Sequence, residues 1–528
     1  MTSSVQQTPG HRLAANGLPG LLLLLLMLLP WLSPYTAGPT PNVWPWLLSA
    51  ACAVLLWLFL PRLDGRLIAS GWVLAACLSA LVGLVQYFGL APDFSPWVSQ
   101  TRAGEAFGNL RQRNQLATLM SIGLVALLAL LALSPGVLAG RESRRTGLPW
   151  WAFPAALLLA LGNAASGSRT GLLQWLLIPA LTACWVLPAG RRRLLVLALQ
   201  ALLAYGVAVL TLPWLLELLT GLHIGGLFGR LAEAPTCESR KILWSNVLTL
   251  IAQKPWLGWG WGELAYAHFI TLYPGARFCD ILDNAHNLPL HLAVELGLPA
   301  ALAICGALSW LAWRARPWAE TEPARQMAWG VLAVIVLHSL LEYPLWYGPF
   351  QIAAGLSVLL LWAARAPGGV FLSKHDPNTL QVQVTRSLFA IFIIVMLATV
   401  AISYYRVSQI YLAPAERGAA YRDDTLAKIR DSALFPHQAE FAELSVTALT
   451  PETAATLHTL ALGLLHYSPE PRVIEKLIES AVMLGRDDEA LQYLARFRVA
   501  FPKEHARWVK ENAAAEHLPA HEFPGINR

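Results

Sequence analysis

The 528-residue sequence predicts an all-α, polytopic helical membrane protein. About 11 transmembrane helices are expected, with a large outer loop and a small helical C-terminal domain. Three observations carry this. Only 13% of residues are charged while 56% are hydrophobic, against roughly 25% charged in an average soluble domain. Mean hydropathy is +0.50. The apolar residues fall in long unbroken runs. A soluble chain of this length needs more polar surface to cover its cores. That excludes a cytosolic enzyme, a secreted disulfide framework and a disordered chain. An outer-membrane barrel alternates apolar and polar residues over strands of about ten residues, the reverse of this pattern.

A bilayer-crossing helix needs about 20 apolar residues. On that criterion spans fall at residues 15–35, 43–61, 67–89, 115–134, 148–163, 171–189, 194–216, 297–314, 327–341, 349–364 and 388–406. The first has a signal-peptide alternative, because His11 and Arg12 precede the core from Leu21 to Leu29. The segment Pro34-Tyr35-Thr36-Ala37-Gly38 is a poor cleavage site, so a span is the expectation.

Charge then orients the chain. With the N-terminus inside, the cytoplasmic loops hold Arg62, Arg66, Arg141, Arg144, Arg145, Arg191, Arg192, Arg193, Arg314, Arg316, Arg325, Arg365, Lys374 and Arg386. The short outer loops hold Arg102, Arg111, Arg113 and Arg169. This positive-inside bias predicts an N-in, C-out topology. The net charge of +6 is therefore an orientation signal rather than a mark of nucleic-acid binding. Residues 217–296 and 407–528 both fall outside, in the periplasm of a bacterium. The expected domains are a transmembrane domain, 1–406, carrying the loop 217–296, and a helical domain, 407–528. In the latter, Arg472 to Leu484, the turn Gly485-Arg486-Asp487-Asp488, and Glu489 to Ala500 before Pro502 resemble a tetratricopeptide-type hairpin.

Arginines on the wrong side of the bias carry information. Gly108-Asn109-Leu110-Arg111-Gln112-Arg113-Asn114-Gln115 lies at the outer mouth of the fourth span. Ser166-Gly167-Ser168-Arg169-Thr170-Gly171 lies at that of the sixth. A single interfacial Arg ordinarily snorkels to headgroups or caps a helix. Three in two loops rich in Asn, Gln and Ser suit a lipid-linked phosphate or pyrophosphate, which the guanidinium fork matches.

The long outer loop contains Arg240-Lys241-Ile242-Leu243-Trp244, then Lys254-Pro255-Trp256-Leu257-Gly258-Trp259-Gly260-Trp261-Gly262. No strand precedes this Gly-Trp alternation, so it reads as a turn or surface lid, not a nucleotide fingerprint. Asp283-Asn284-Ala285-His286-Asn287 follows, at the start of the helix-like run Leu288 to Leu296. His286 is a candidate general base, with Asp280, Asp283, Asn284 and Asn287 as nearby orienters. His338 lies one helical turn from Glu342 near the outer end of the ninth span. That pair reads either as a substrate contact or as a buried structural pair. Metal-site and Ser-His-Asp spacings are missing, so no metal or other cofactor is expected. Cys237 and Cys279 are the two cysteines outside the spans, and both fall in the outer loop. In an oxidising compartment they are expected to form a disulfide.

These segments resemble the bacterial O-antigen ligase/polymerase (Wzy/WaaL-like) superfamily of inner-membrane glycosyltransferases. The matching pieces are Ser168-Arg169-Thr170-Gly171, Arg240 with Trp244, Pro255-Trp256-Leu257-Gly258, and Ala285-His286-Asn287 ahead of Glu295 and Gly297. Gly108 with Gln112, Asn114 and Gln115, and His338-Ser339 with Glu342-Tyr343-Pro344-Leu345-Trp346, resemble PglL-type protein O-oligosaccharyltransferases. The resemblance implies en bloc transfer of an oligosaccharide from undecaprenyl pyrophosphate to Ser or Thr of pilin-like periplasmic proteins. O-antigen ligation to lipid A-core, and O-antigen polymerisation, share the donor and are the alternatives. It implies His286 as base, and Arg240 and Arg169 as stabilisers of the departing pyrophosphate. It implies Arg111 and Arg113 as grips on the lipid pyrophosphate, and Gln112, Asn114 and Asn287 as substrate-positioning groups, without a metal. A transporter or flippase is the rival from another class. No internal repeat supports it, and the chemistry-bearing residues gather at one mouth rather than at the midplane.

Overall fold

The computed structural model describes residues 17–59, 63–134, 148–186, 192–224, 237–363 and 380–516. Of the residues cited for topology, His11, Arg12, Arg62, Arg141, Arg144, Arg145, Arg191, Arg365 and Lys374 lie outside the described residues. The described residues form helices, turns and loops, with no strand among them.

In chain order the helices are α1 (Gly17–Leu32), α2 (Trp44–Leu58), α3 (Gly65–Tyr87), α4 (Arg113–Leu133), α5 (Ala152–Ser166), α6 (Arg169–Val186) and α7 (Arg192–Thr220). Then come α8 (Arg240–Gln253), α9 (Leu264–Ile270), α10 (Leu288–Leu296), α11 (Leu298–Ala315), α12 (Pro323–Ser339), α13 (Gly348–Ala363) and α14 (Leu380–Ser408). The last group is α15 (Thr425–Ile429), α16 (Pro436–Val446), α17 (Ala454–Tyr467), α18 (Pro471–Met483), α19 (Asp487–Ala500) and α20 (Pro502–Glu516). A helix stands at each apolar run named above. Five helices, α3, α4, α7, α11 and α14, are long and apolar enough to cross a membrane. α1, α2, α5 and α13 are apolar but shorter. α6 and α12 carry buried polar residues, Gln174 and His338 among them.

The chain divides into two compact units, one of residues 1–233 and 310–401, the other of 234–309 and 402–528. In the first, α4 is the central helix. Beyond its polar first turns, with Asn114, Gln115, Thr118 and Ser121, it is apolar, and it is buried along nearly its whole length, with neighbours on every side. α3, α5 and α12 pack closely on it because a glycine stands at each contact. Gly123 of α4 lies against Ala76 of α3, Gly162 of α5 against Met120 of α4 and Ala80 of α3, and Gly330 of α12 against Val125 of α4, where a Cβ would collide. Trp31, Trp72, Trp175 and Phe350 fill the remaining core.

The second unit holds two cores. One joins α8, α9 and α10 through Leu243, Val247, Leu264, Val294 and Leu282. The other belongs to α16–α20, where α18 and α19 form a helical hairpin turning at Gly485, which has φ 70°. Phe269 of α9 is buried in this second core beside Leu457, Leu464 and Leu477. Tyr266 stacks on His466 with ring centroids 3.8 Å apart, and the His466 ring lies 2.7 Å from the Glu263 carboxylate. Residues 234–309 and the C-terminal segment thus share one unit, although residues 310–401, which belong to the other, separate them in sequence.

Candidate functional site

The candidate residues fall on both units, and each set has its own scaffold. In the first unit a short turn, Gly108–Leu110, leads into Arg111, whose φ is 60°. A left-handed backbone costs a non-glycine residue about 1–2 kcal/mol. The loop that imposes it is held by Gln86, fully buried on α3. Gln86 Nε2 donates to the carbonyls of Ser99 at 2.9 Å and Gly108 at 2.8 Å. Its Oε1 accepts from the N–H groups of Phe107 at 3.0 Å and Gly108 at 2.7 Å, so all four of its bonds are made. Arg111 is exposed and donates to the Pro34 carbonyl at 3.3 Å. Arg113 opens α4 and pairs with Glu105 at 3.2 Å. Both partners are over a third exposed, so the pair contributes under about 1 kcal/mol.

Behind these arginines the structure assembles a polar network. Gln112 Nε2 and Asn114 Nδ2 donate to the two Glu342 carboxyl oxygens at 3.2 and 3.1 Å. Asn114 Oδ1 accepts from the Ser168 hydroxyl at 2.6 Å. That hydroxyl in turn accepts from the Gly171 N–H at 3.1 Å, capping the helix whose first residue is the exposed Arg169. Deeper, His338 Nδ1 lies 2.9 Å from the Thr118 hydroxyl. Gln174 Nε2 donates to that hydroxyl and to the Val334 carbonyl, both at 2.9 Å, and Gln174 Oε1 accepts from Ser121 at 2.9 Å. Gln112, Asn114, His338 and Glu342 are therefore brought together, with His338 and Glu342 buried and bonded to protein. Sequence reasoning missed Gln86, Thr118 and Gln174, and gave Ser168, though it lies in a segment singled out above, no role of its own. A signal was present: Asn114, Thr118 and Ser121 recur at helical spacing on an apolar helix, and intramembrane polar residues seldom lack partners.

In the second unit Ser239 caps α8, placing Arg240 at its first position. One turn on, Trp244 Nε1 donates to the Ala285 carbonyl at 3.1 Å. Asn246 donates to the Ala276 carbonyl at 3.0 Å and accepts from the Phe278 N–H at 2.8 Å. Cys237 and Cys279 are bonded, 42 residues apart in sequence, with Cα atoms 5.5 Å apart. Together these tie the segment before His286 onto the helix that carries Arg240.

His286 has φ 50°, and its N–H donates to Asn284 Oδ1 at 2.8 Å. The Asx turn so formed offsets part of the backbone strain. Asn287 Oδ1 accepts from the Leu290 N–H at 3.0 Å and caps α10, so that oxygen serves the helix. His286 is held between these two asparagines. On the same helix, burial pulls His291 down to about 4, with His286 adding to the shift. Burial pushes Glu295 up to about 7, against the Gly262 N–H bond, which pulls it down. His291 Nε2 lies 3.5 Å from the Glu295 carboxyl. With shifts in those senses both groups are mostly uncharged between about pH 4 and 7, rather than an ion pair. Among the described residues no three His, Cys, Asp or Glu side chains gather as metal ligands.

Three family models match. Residues 106–131 match "Protein glycosylation ligase", residues 154–305 match "O-Antigen ligase", and residues 326–515 match "Virulence factor membrane-bound polymerase, C-terminal". The first covers Arg111 to Gln115, the second Ser168, Arg240 and His286, and the third His338, Glu342 and the C-terminal helices. A general O-oligosaccharyltransferase of Acinetobacter baylyi is 27% identical over 328 residues, 61% of this chain and 53% of that protein. A ComP-specific O-oligosaccharyltransferase of the same organism is 24% identical over 308 residues, 56% of this chain and 52% of that protein. The chain spans about half the length of the curated relatives it matches. The polar network and the His286 turn lie inside these matched stretches, and over them the chain is similar to O-antigen ligases and protein glycosylation ligases.

Proposed function

We propose that this protein transfers a preassembled oligosaccharide from undecaprenyl pyrophosphate to Ser or Thr hydroxyls of periplasmic, pilin-like proteins. The observation that carries the reading is the presentation of His286 in a strained turn between Asn284 and the α10 cap, on the scaffold that bears Arg240. Strain of this kind persists where surrounding structure over-determines it, and it clusters at active sites. The names of the relatives add support.

In the proposed step the acceptor hydroxyl oxygen attacks C1 of the first sugar. Its proton passes to the His286 imidazole as the new C–O bond forms. The bond from C1 to the pyrophosphate oxygen breaks, and the lipid pyrophosphate leaves with the electron pair. Arg240 and Arg169 stabilise the charge that grows on it. Arg111 and Arg113 grip the same group in the ground state, Arg111 more strongly because Glu105 answers part of the Arg113 charge. A single in-line displacement inverts C1. In this reading His338 and Glu342 shape the mouth from within, and Gln112 and Asn114 position substrate through the faces that Glu342 leaves available. Eleven spans, N-in and C-out in the inner membrane, put residues 217–296 and 407–528 on the periplasmic side with the acceptor.

Purified donor and a pilin-like acceptor test this. His286→Ala and Arg240→Ala are each expected to cut transfer at least 100-fold. Wild-type rates in either variant overturn the assignment. Ligation to lipid A-core is the second reading, favoured by the O-antigen ligase match over residues 154–305. Transfer to rough lipopolysaccharide but not to protein selects it.

A further inference from the structure

We propose that the turn Pro255–Gly262 is a lipid anchor, with Trp256, Leu257 and Trp261 seated in the bilayer interface. These three side chains are 76%, 86% and 68% exposed. So much large apolar surface in one short turn marks a contact site, and Trp is the residue that membrane interfaces favour.

The turn cannot fold these groups away. The Trp259 and Gly260 N–H groups donate to the carbonyls of Val294 at 2.8 Å and Glu295 at 3.0 Å. The Gly262 N–H donates to Glu295 Oε1 at 3.0 Å. Gly258 and Gly297 press backbone against backbone, and a Cβ on either would strike the opposite chain. Trp259 turns inward, donating to the Leu250 carbonyl at 3.0 Å, and the Lys254 ammonium lies 4.1 Å from its ring centroid. One tryptophan thus locks the turn to the protein while two point out.

The partner follows from what the turn is tied to. The Leu298 N–H donates to the Pro255 carbonyl at 2.8 Å. Leu298 begins α11, which is long and apolar enough to cross a membrane and keeps almost none of its surface inside the protein. Leu298, Leu302 and Leu308 are exposed along it. The tip is therefore pinned where the chain enters an apolar solvent, and one bilayer covers both surfaces without a break. The exposed Lys254 beside the tip suits the phosphates of anionic headgroups. The nine residues of α10 rise about 14 Å between the His286 turn and Gly297. The anchor thereby limits how far His286 stands from the interface. That consequence rests on the function proposed above; the anchoring does not.

The test uses the full chain in phosphatidylglycerol-containing nanodiscs. Leu257→Cys and Trp261→Cys, with Cys52, Cys77, Cys184 and Cys305 replaced by Ala, carry an environment-sensitive dye. A nitroxide on the lipid headgroup is expected to quench either label several-fold more than aqueous iodide does. Quenching by iodide alone overturns the proposal, and so does protection from both quenchers, which means that protein covers the tip. Wild type against the Trp256→Phe, Trp261→Phe double variant, in brominated and plain lipid, gives the same readout without new cysteines. Lipid contact found alongside an active His286→Ala protein leaves the anchor standing and removes the proposed chemistry. Water contact alongside an inactive one does the opposite.

Discussion

Asn114 and Glu342, 228 positions apart in sequence, meet at 3.1 Å in the first unit, and the other carboxyl oxygen takes the Gln112 amide. Through Asn114 the Ser168 hydroxyl joins them, and through Ser168 the first turn of α6. One carboxyl group thereby organises the two loops that carry Arg111, Arg113 and Arg169.

Glu342→Ala removes the acceptor of two amides. Partly buried donors left unpaired cost about 1–3 kcal/mol in all. Thermal unfolding in detergent is expected to show that loss, with Glu342→Gln recovering part of it through one amide oxygen. Unchanged stability in Glu342→Ala counts against the network.

Ser168→Ala removes the α6 cap, worth about 1 kcal/mol. It also loosens Arg169, so the turnover of glycan transfer is expected to fall about tenfold, and Ser168→Thr to restore most of it. A stability loss with turnover intact restricts Ser168 to a structural role.

Under the proposed function, His286→Gly and His286→Ala are both expected to cut transfer at least 100-fold. They differ in stability. Gly adopts φ 50° without the Cβ penalty, so it is expected to exceed Ala by about 1 kcal/mol. Denaturation midpoints for the pair decide this, and an Ala variant as stable as the Gly variant shows that the turn is relaxed.

The pair on α10 sets a pH dependence. Folded Glu295 keeps its proton up to about 7, against 4.5 for the ordinary carboxyl, so its contribution is full below 4.5 and is lost as pH rises through about 7. Folded His291 gives up its proton at about 4, against 6.5, so its contribution is full above 6.5 and is lost as pH falls through about 4. The two slopes oppose each other. Glu295→Gln is expected to make stability rise more steeply than wild type from pH 4 to 6.5, and His291→Gln to make it fall from 4.5 to 7. Each change is on the order of 3 kcal/mol across its window. Parallel pH profiles for the variants and wild type refute it.

Replacing Cys237 and Cys279 by Ser opens a loop of 42 residues, and the second unit is expected to lose about 3–4 kcal/mol. Limited proteolysis near residues 276–279 is expected to speed up. Peptide mapping without reductant that recovers both as thiols in wild type removes the premise.

The helices at the apolar runs, the start of α10 at Leu288 and the α18–α19 hairpin were all readable in the chain itself. They depend on local causes. Lipid supplies no hydrogen-bond partners, so apolar runs must bond internally as helices, and caps and turns need residues only a few positions apart. Tertiary structure alone decided that Glu342 meets Gln112 and Asn114, that Phe269 enters the core of the C-terminal helices, and that His286 and Arg111 take left-handed backbones. These contacts bring together residues tens to hundreds of positions apart. No local pattern encodes them, because each exists only when the packing of whole helices makes the alternative an unpaired polar group or an unfilled core.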